Sequence, residues 1–141
     1  MSQETVELVR SILADWERGD YSSNDWAHPE IEFVVPDGPT PGTWRGLAGM
    51  AEGWRDFLSA WEDFRAVIEG CRGLDDGRVL VLGRWRGRGK TSGLEVKQMT
   101  AKATTLFHIR EGKVTKLVVY FDRERALADL GLSEQDAHAD S

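Results

Sequence analysis

Residues 105–122 read Thr-Leu-Phe-His-Ile-Arg-Glu-Gly-Lys-Val-Thr-Lys-Leu-Val-Val-Tyr-Phe-Asp and run straight into Arg-Glu-Arg-Ala-Leu-Ala-Asp-Leu at 123–130. Two runs rich in β-branched and aromatic residues flank a tight Arg110-Glu111-Gly112-Lys113 turn, which is the pattern of a long hairpin. Asp122 stands where it can cap the closing helix, and Leu127, Leu130 and Leu132 can dock that helix on the end of a sheet. Upstream, three strands are predicted at 65–71, 79–88 and 96–109, with turns at Asp75-Asp76-Gly77 and Gly89-Lys90-Thr91-Ser92-Gly93. Counting 114–121 as the last strand, four antiparallel strands follow one another.

Ahead of them, Val6, Val9, Leu13 and Trp16 recur at three- and four-residue spacing until Gly19, so 6–16 is an amphipathic helix. A short helical turn is expected at 22–27. Residues 30–35 alternate Ile31, Phe33 and Val35 against Glu32 and Val34, a strand ended by Pro36-Asp37-Gly38-Pro39. The longest helix is expected over 47–64. Met50, Trp54, Phe57, Leu58, Trp61 and Phe64 form its apolar side; Glu52, Arg55, Asp56, Glu62 and Asp63 form its polar one. The fold class is therefore α+β: a strongly curved antiparallel sheet of five strands wrapped on an N-terminal helix and a long third helix, with a pocket between. One domain spans 1–132, and 133–141 is a polar tail.

The chain has 141 residues and a net charge of −6, with 40% hydrophobic and 30% charged residues. Such an acidic balance argues against a nucleic-acid partner, because phosphate affinity comes from clustered Lys and Arg. Cys71 is the single cysteine, which excludes an internal disulfide and fits a reducing cytoplasm. The three histidines, His28, His108 and His138, are far apart, so no metal site is expected. No apolar run approaches the roughly 20 residues of a membrane span. No cofactor is implied.

Four short motifs carry a resemblance: Arg18-Gly19-Asp20 after the first helix, Trp44-Arg45-Gly46 before the long one, Gly112-Lys113-Val114, and Tyr120-Phe121-Asp122 before the Ala-Leu helix. In order and spacing the chain resembles the nuclear-transport-factor-2-like superfamily over roughly residues 3–132. It is most similar to the SnoaL-like branch, with its polyketide cyclases, ketosteroid isomerases and limonene-epoxide hydrolases. The resemblance implies a cone-shaped fold around a pocket, but most of the catalytic positions have changed. Where the isomerases carry a pocket Tyr, a general-base Asp and an oxyanion-binding Asp, this chain has Ile12, Val35 and Thr105. Where the cyclases and epoxide hydrolases carry a catalytic Asp on the last strand, it has Val119. Where the hydrolases have Arg-x-Asp, it has Arg84-Trp85-Arg86.

Two placements of the Arg84, Arg86 and Arg88 row stay open. If it lines the cavity, as the resemblance implies, an anion, Glu95, Asp37 or water must answer its charge, since a buried unpaired cation costs several kcal/mol. Otherwise the arginines face solvent and Trp85 faces in. On the first placement the ligand is a small anionic or carbonyl-bearing aromatic compound. Its walls are Trp16, Phe33, Val35, Trp54, Met99, Phe107 and Val119; Arg84, Arg86 and Thr105 bind oxygen; Asp37, His28 or Arg84 is catalytic. The reaction would then be isomerase-, cyclase- or hydrolase-like. The alternative is a non-catalytic ligand-binding or dimerisation module, which the missing carboxylates favour. Tyr21 can serve the pocket or close the core. Alternation puts Thr105 and Phe107 on the cavity side and His108 outside. Trp85, Leu106, His108, Val118 and Tyr120 make an outer face apolar enough to predict a homodimer through it.

Overall fold

The computed structural model describes residues 3–21, 23–37, 41–59, 61–75, 77–89 and 98–133. Within them lie three helices, α1 (Gln3–Glu17), α2 (Gly46–Ser59) and α3 (Arg123–Leu130). The strands are β1 (Ala27–Val35), β2 (Gly42–Arg45), β3 (Trp61–Asp75), β4 (Arg78–Gly89), β5 (Gln98–Arg110) and β6 (Lys113–Tyr120). The strands form one sheet in the order β2-β1-β6-β5-β4-β3. Every neighbouring pair is antiparallel except β1 and β6, which run parallel. The sheet is thus mixed and six-stranded, where five antiparallel strands were expected. The added strand is β2, whose Trp44 and Arg45 pair with Phe33 and Glu32. Four residues are too few for an alternation to register in the sequence.

The hairpin that decides the fold forms as read. Glu111 and Gly112 both have positive φ, 52° and 77°, the two-residue turn whose twist matches the flanking strands. Asp122 caps α3 by accepting from the Glu124 N–H at 3.0 Å, and Gly131 closes the helix in the left-handed region.

Two further expectations fail. Residues 23–27 hold a turn and the start of β1 rather than a helical turn, so His28 lies in a strand. The long helix stops at Ser59, and Trp61 and Phe64 belong to β3. Three-residue aromatic spacing imitates a helix there. From Phe64 onward, however, partly buried Phe64, Ala66 and Ile68 alternate with exposed Arg65, Val67 and Glu69, and pairing with β4 settles the strand.

α1 and α2 cover the inner face of the sheet. Val9, Ile12, Leu13 and Trp16 of α1 join Met50, Trp54 and Phe57 of α2 in the main core. Gly53 is what lets α2 sit so close. A Cβ there would meet the Phe33 ring at 2.5 Å. On the opposite face Leu80, Leu82, Leu106, Val118 and Tyr120 pack under Ala126 and Leu127 of α3 in a second, smaller core. No helix is long and apolar enough to cross a membrane.

Candidate functional site

The inner face encloses a hollow of about 30 Å³. α1 and the turn after it supply Leu13, Trp16 and Tyr21, α2 supplies Trp54 and Phe57, β3 supplies Phe64, Ala66, Val67 and Ile68, and β4–β6 supply Trp85, Thr105 and Val119 among others. Since a buried water needs about 10–15 Å³ of such space, the hollow has room for about two or three. Aromatic rings fill the rest. Trp54 lies 5.0 Å from Trp16, 5.1 Å from Tyr21 and 5.0 Å from Phe33 between ring centroids, and Phe57 lies 5.0 Å from Trp85. These separations sit in the favourable range for ring pairs, each worth about 0.5–1.5 kcal/mol beyond burial.

Among the described residues the hollow carries no carboxylate, imidazole, ammonium or guanidinium in its wall. The hydroxyls of Thr105 and Tyr21 are its side-chain oxygens. Burial pushes the Tyr21 phenol up to about 12, so it stays neutral and can donate a hydrogen bond at any physiological pH.

Of the predicted wall residues, Trp16, Trp54, Thr105 and Val119 come together here. Phe107 and Phe33 stand one layer behind, stacked on Trp16 at 5.7 Å and on Trp54 at 5.0 Å, and Val35 is core. Met99 pairs with Gly87 through the backbone; its side chain, that of Arg88, and Glu95 lie outside the described residues.

The charged candidates are elsewhere. Arg84 and Arg86 are exposed on the outer face while Trp85 between them is buried in the hollow's wall. A guanidinium would lose its hydration inside without a carboxylate to meet it, whereas an indole gains by burial. Arg84 donates to Glu69 at 2.6 Å, and the same carboxylate accepts from Arg123 at 3.0 Å. These two arginines hold the Glu69 carboxyl below its usual range. Asp37 is taken up by structure. Its two oxygens accept the backbone N–H groups of Phe121 (2.7 Å) and Asp122 (3.0 Å), fastening the end of β1 to the β6–α3 junction. His28 Nδ1 accepts the Glu30 N–H at 3.0 Å on the surface beside Lys113 and Thr115, away from the hollow. Among the described residues no three His, Cys, Asp or Glu side chains gather as a metal site.

The outer face also differs from expectation. Trp85 does not belong to it, and Leu106, Val118 and Tyr120 are buried beneath α3 within the chain. The exposed apolar surface that suggested a two-fold contact is already covered. His108 is on this side, as alternation required, and is half-buried.

The sequence profile of the SnoaL-like domain matches residues 9–117. The chain belongs to the SnoaL-like domain family. No curated protein matches it. Among solved structures, this SnoaL-like protein is similar to TerC co-crystallised with polyporic acid (22% identity, 91% of this chain and 98% of that one, TM-score 0.70). It is also similar to an NTF2-like protein of unknown function from Burkholderia pseudomallei (19%, 91% and 97%, TM-score 0.72). A third likeness is to a candidate polyketide cyclase from Xanthomonas campestris pv. campestris (18%, 89% and 96%, TM-score 0.68). At these identities the likeness is one of fold, and the NTF2-like cone is the architecture they share.

Sequence reading misses Phe57 and Phe64 as wall residues, giving both to the packing side of one long helix. It leaves Tyr21 open between pocket and core and Trp85 open between the outer face and the inside; both line the hollow.

Proposed function

We propose that this SnoaL-like protein binds a flat, weakly polar aromatic compound bearing a carbonyl or hydroxyl group, and binds it without transforming it. The observation that carries this reading is the composition of the hollow's wall: stacked rings, two hydroxyls and no proton-transfer group among the described residues. General acid–base catalysis needs a group that titrates near the working pH. Tyr21, at about 12, is neutral there, and Thr105 does not titrate. Val119 occupies the position to which the resemblance assigns a carboxylate in the cyclases. Both hydroxyls can instead hold a ligand oxygen, Tyr21 and Thr105 donating to a carbonyl. A ligand larger than a few waters enters by displacing rings rather than by filling an empty space.

TerC's crystallisation with polyporic acid makes that compound a first probe, and 2-naphthol is a second. Three tryptophans line the hollow, so binding is read as saturable quenching of indole fluorescence. Thr105→Val and Tyr21→Phe keep shape and remove the hydroxyls; each should weaken binding about 2- to 10-fold, the net worth of one hydrogen bond. The absence of saturable quenching by any aromatic carbonyl or hydroxyl probe would overturn binding. Accelerated exchange of the α-protons of 2-tetralone with D2O would overturn the non-catalytic half and restore an isomerase-like reading.

A further inference from the structure

Two spaces meet at the α1–β3 seam. On its solvent side a groove of about 370 Å³ is lined by Arg10, Ala14, Glu17, Glu69 and Cys71 together with Leu13 and Ile68. The hollow is lined from within by the same Leu13 and Ile68. Those two side chains are therefore the partition between groove and hollow. Among the described residues β3 is an edge strand, with β4 its one neighbour, and its register with β4 slips between Ile68 and Gly70. A bulge at an edge is where a strand bends most easily. Gly70 has open space, among the described residues, where a Cβ would stand.

One bond crosses the seam at the partition. The Ile68 backbone N–H, turned away from β4, donates to the Glu17 carboxylate at 3.2 Å. Glu17 is the last residue of α1, and the last turn of that helix has no basic residue. An acid at a helix C-terminus works against the macrodipole, so local helix energetics do not account for it; the contact with β3 does.

We infer that the seam between α1 and the bulge of β3 is the passage by which a ligand reaches the hollow, with Leu13 and Ile68 as its door and the Glu17–Ile68 hydrogen bond as its latch. This rests on the binding reading above. The passage suits the same flat compounds, which can slide edge-on between two aliphatic side chains once the latch releases. A latch alters how fast ligand enters and leaves, and it leaves the bound state as it was. Kinetics therefore separates it from a residue that holds ligand.

The experiment is stopped-flow quenching of indole fluorescence by 2-naphthol, with alkylation of Cys71 by iodoacetamide as a measurement that needs no ligand. Cys71 is buried in the groove wall and is the chain's single cysteine. In Glu17→Ala the association and dissociation rates should rise together, roughly 2- to 10-fold, the weight of one hydrogen bond, with Kd within about twofold. Cys71 alkylation should quicken too. Glu17→Gln keeps an acceptor and should stay near the parent rates. Ala14→Trp, an exposed site in the groove, should slow both rates. Binding with unchanged rates in Glu17→Ala and Ala14→Trp would overturn the passage and leave the pocket reading standing. If the parent protein shows no saturable quenching, the pocket reading fails and alkylation decides the latch: faster reaction in Glu17→Ala supports it, an unchanged rate removes it.

Discussion

The two faces of one sheet have been given opposite solutions to the same problem. On the inner face α1 and α2 meet the strands through interlocked rings, and among the described residues no charged side chain lines the hollow. On the outer face a short helix covers a strip of aliphatic side chains, and beside it Arg84, Glu69 and Arg123 form a charged chain across β3, β4 and α3. Arg84 and Trp85, adjacent on β4, belong to different faces. The inner face is held by dispersion and burial, which tolerate no loss of volume. The outer face is held by directional bonds, and its cost depends on which partner is left unanswered.

The sharpest way to break that contrast is Trp54→Ala. Trp54 touches Trp16, Tyr21, Phe33 and Phe57, and removing so large a core ring should cost about 3–5 kcal/mol in urea denaturation. A loss below about 1 kcal/mol would mean the inner rings are loosely packed and the hollow is larger in solution.

Next in size is Arg123→Met. The Arg123 side chain is 5% exposed and bonds both Glu69 and the Gly83 carbonyl, the latter at 2.9 Å. Removing it unpairs a buried carbonyl and half of a carboxylate's partners. Since bonds to charged groups are worth about 1.5–3 kcal/mol, the expected loss in the same assay is about 2–3 kcal/mol. A negligible change would show that α3 is held by its leucines alone.

How much of this was legible follows from phase. The β5 and β6 runs each carried their own phase in the alternation of their residues; the turn alone would not have set it, because the register slips by one residue between His108 and Ile109 and so brings Thr105 opposite Val119 rather than Val118. Thr105 and Val119 were therefore placed inward, His108 outward, and all three faced as read. β4 had none. Val79 to Leu82 is an unbroken apolar run that does not say which residues face in, and the long β4–β5 connection could not fix its register. The observed pairing of Val81 with Thr105 settles it: odd-numbered residues of β4 share the inner face, so Trp85 goes in and Arg84 out. The resemblance pointed the other way, since it supplied an Arg where related enzymes use one and no register to test it. Asp37 was legible as a turn residue, but its two N–H partners lie 84 and 85 positions away, beyond any local pattern. A pocket between sheet and helices is what the sequence predicts; rings occupy nearly all of that space, and their packing depends on rotamers, which no periodicity encodes.

The two tyrosines sharpen the comparison, because there is one on each face and no third in the chain. Burial is the cause at Tyr21, and burial followed by the hydrogen bond to Asp129 at Tyr120; both phenols are pushed up to about 12. Each raised pKa favours the neutral phenol in the folded state. The stability it brings is present below the ordinary value of 10 and is lost as the pH climbs from there toward about 12. Absorbance at 295 nm should therefore show no tyrosinate step near pH 10 in the folded protein. Asp129→Asn should bring the outer tyrosine's step down and leave the inner one in place. A full two-tyrosine step near 10 would place both rings in water.

The smallest expected effect belongs to Arg84→Met, and it is the one that tests whether the outer arginines matter to the hollow. Arg84 shares Glu69 with Arg123, but its side chain is 45% exposed, and an exposed pair of this kind is worth about 0–1 kcal/mol. Stability near neutrality and 2-naphthol affinity should both stay close to the parent values, since no part of Arg84 lines the hollow. Its mark should appear in acid. Glu69 owes its lowered pKa first to Arg84 and then to Arg123, so the stability tied to its ionised form is present above the ordinary value of 4.5 and disappears as the pH falls through the lowered one. With Arg84 gone, the Glu69 carboxyl moves part-way back up, and the acid limb of the stability curve should begin its descent at higher pH. A parent-like acid limb would mean that Arg123 alone sets the charge of Glu69. A loss of 2-naphthol binding would mean that the arginine row reaches the inner face after all.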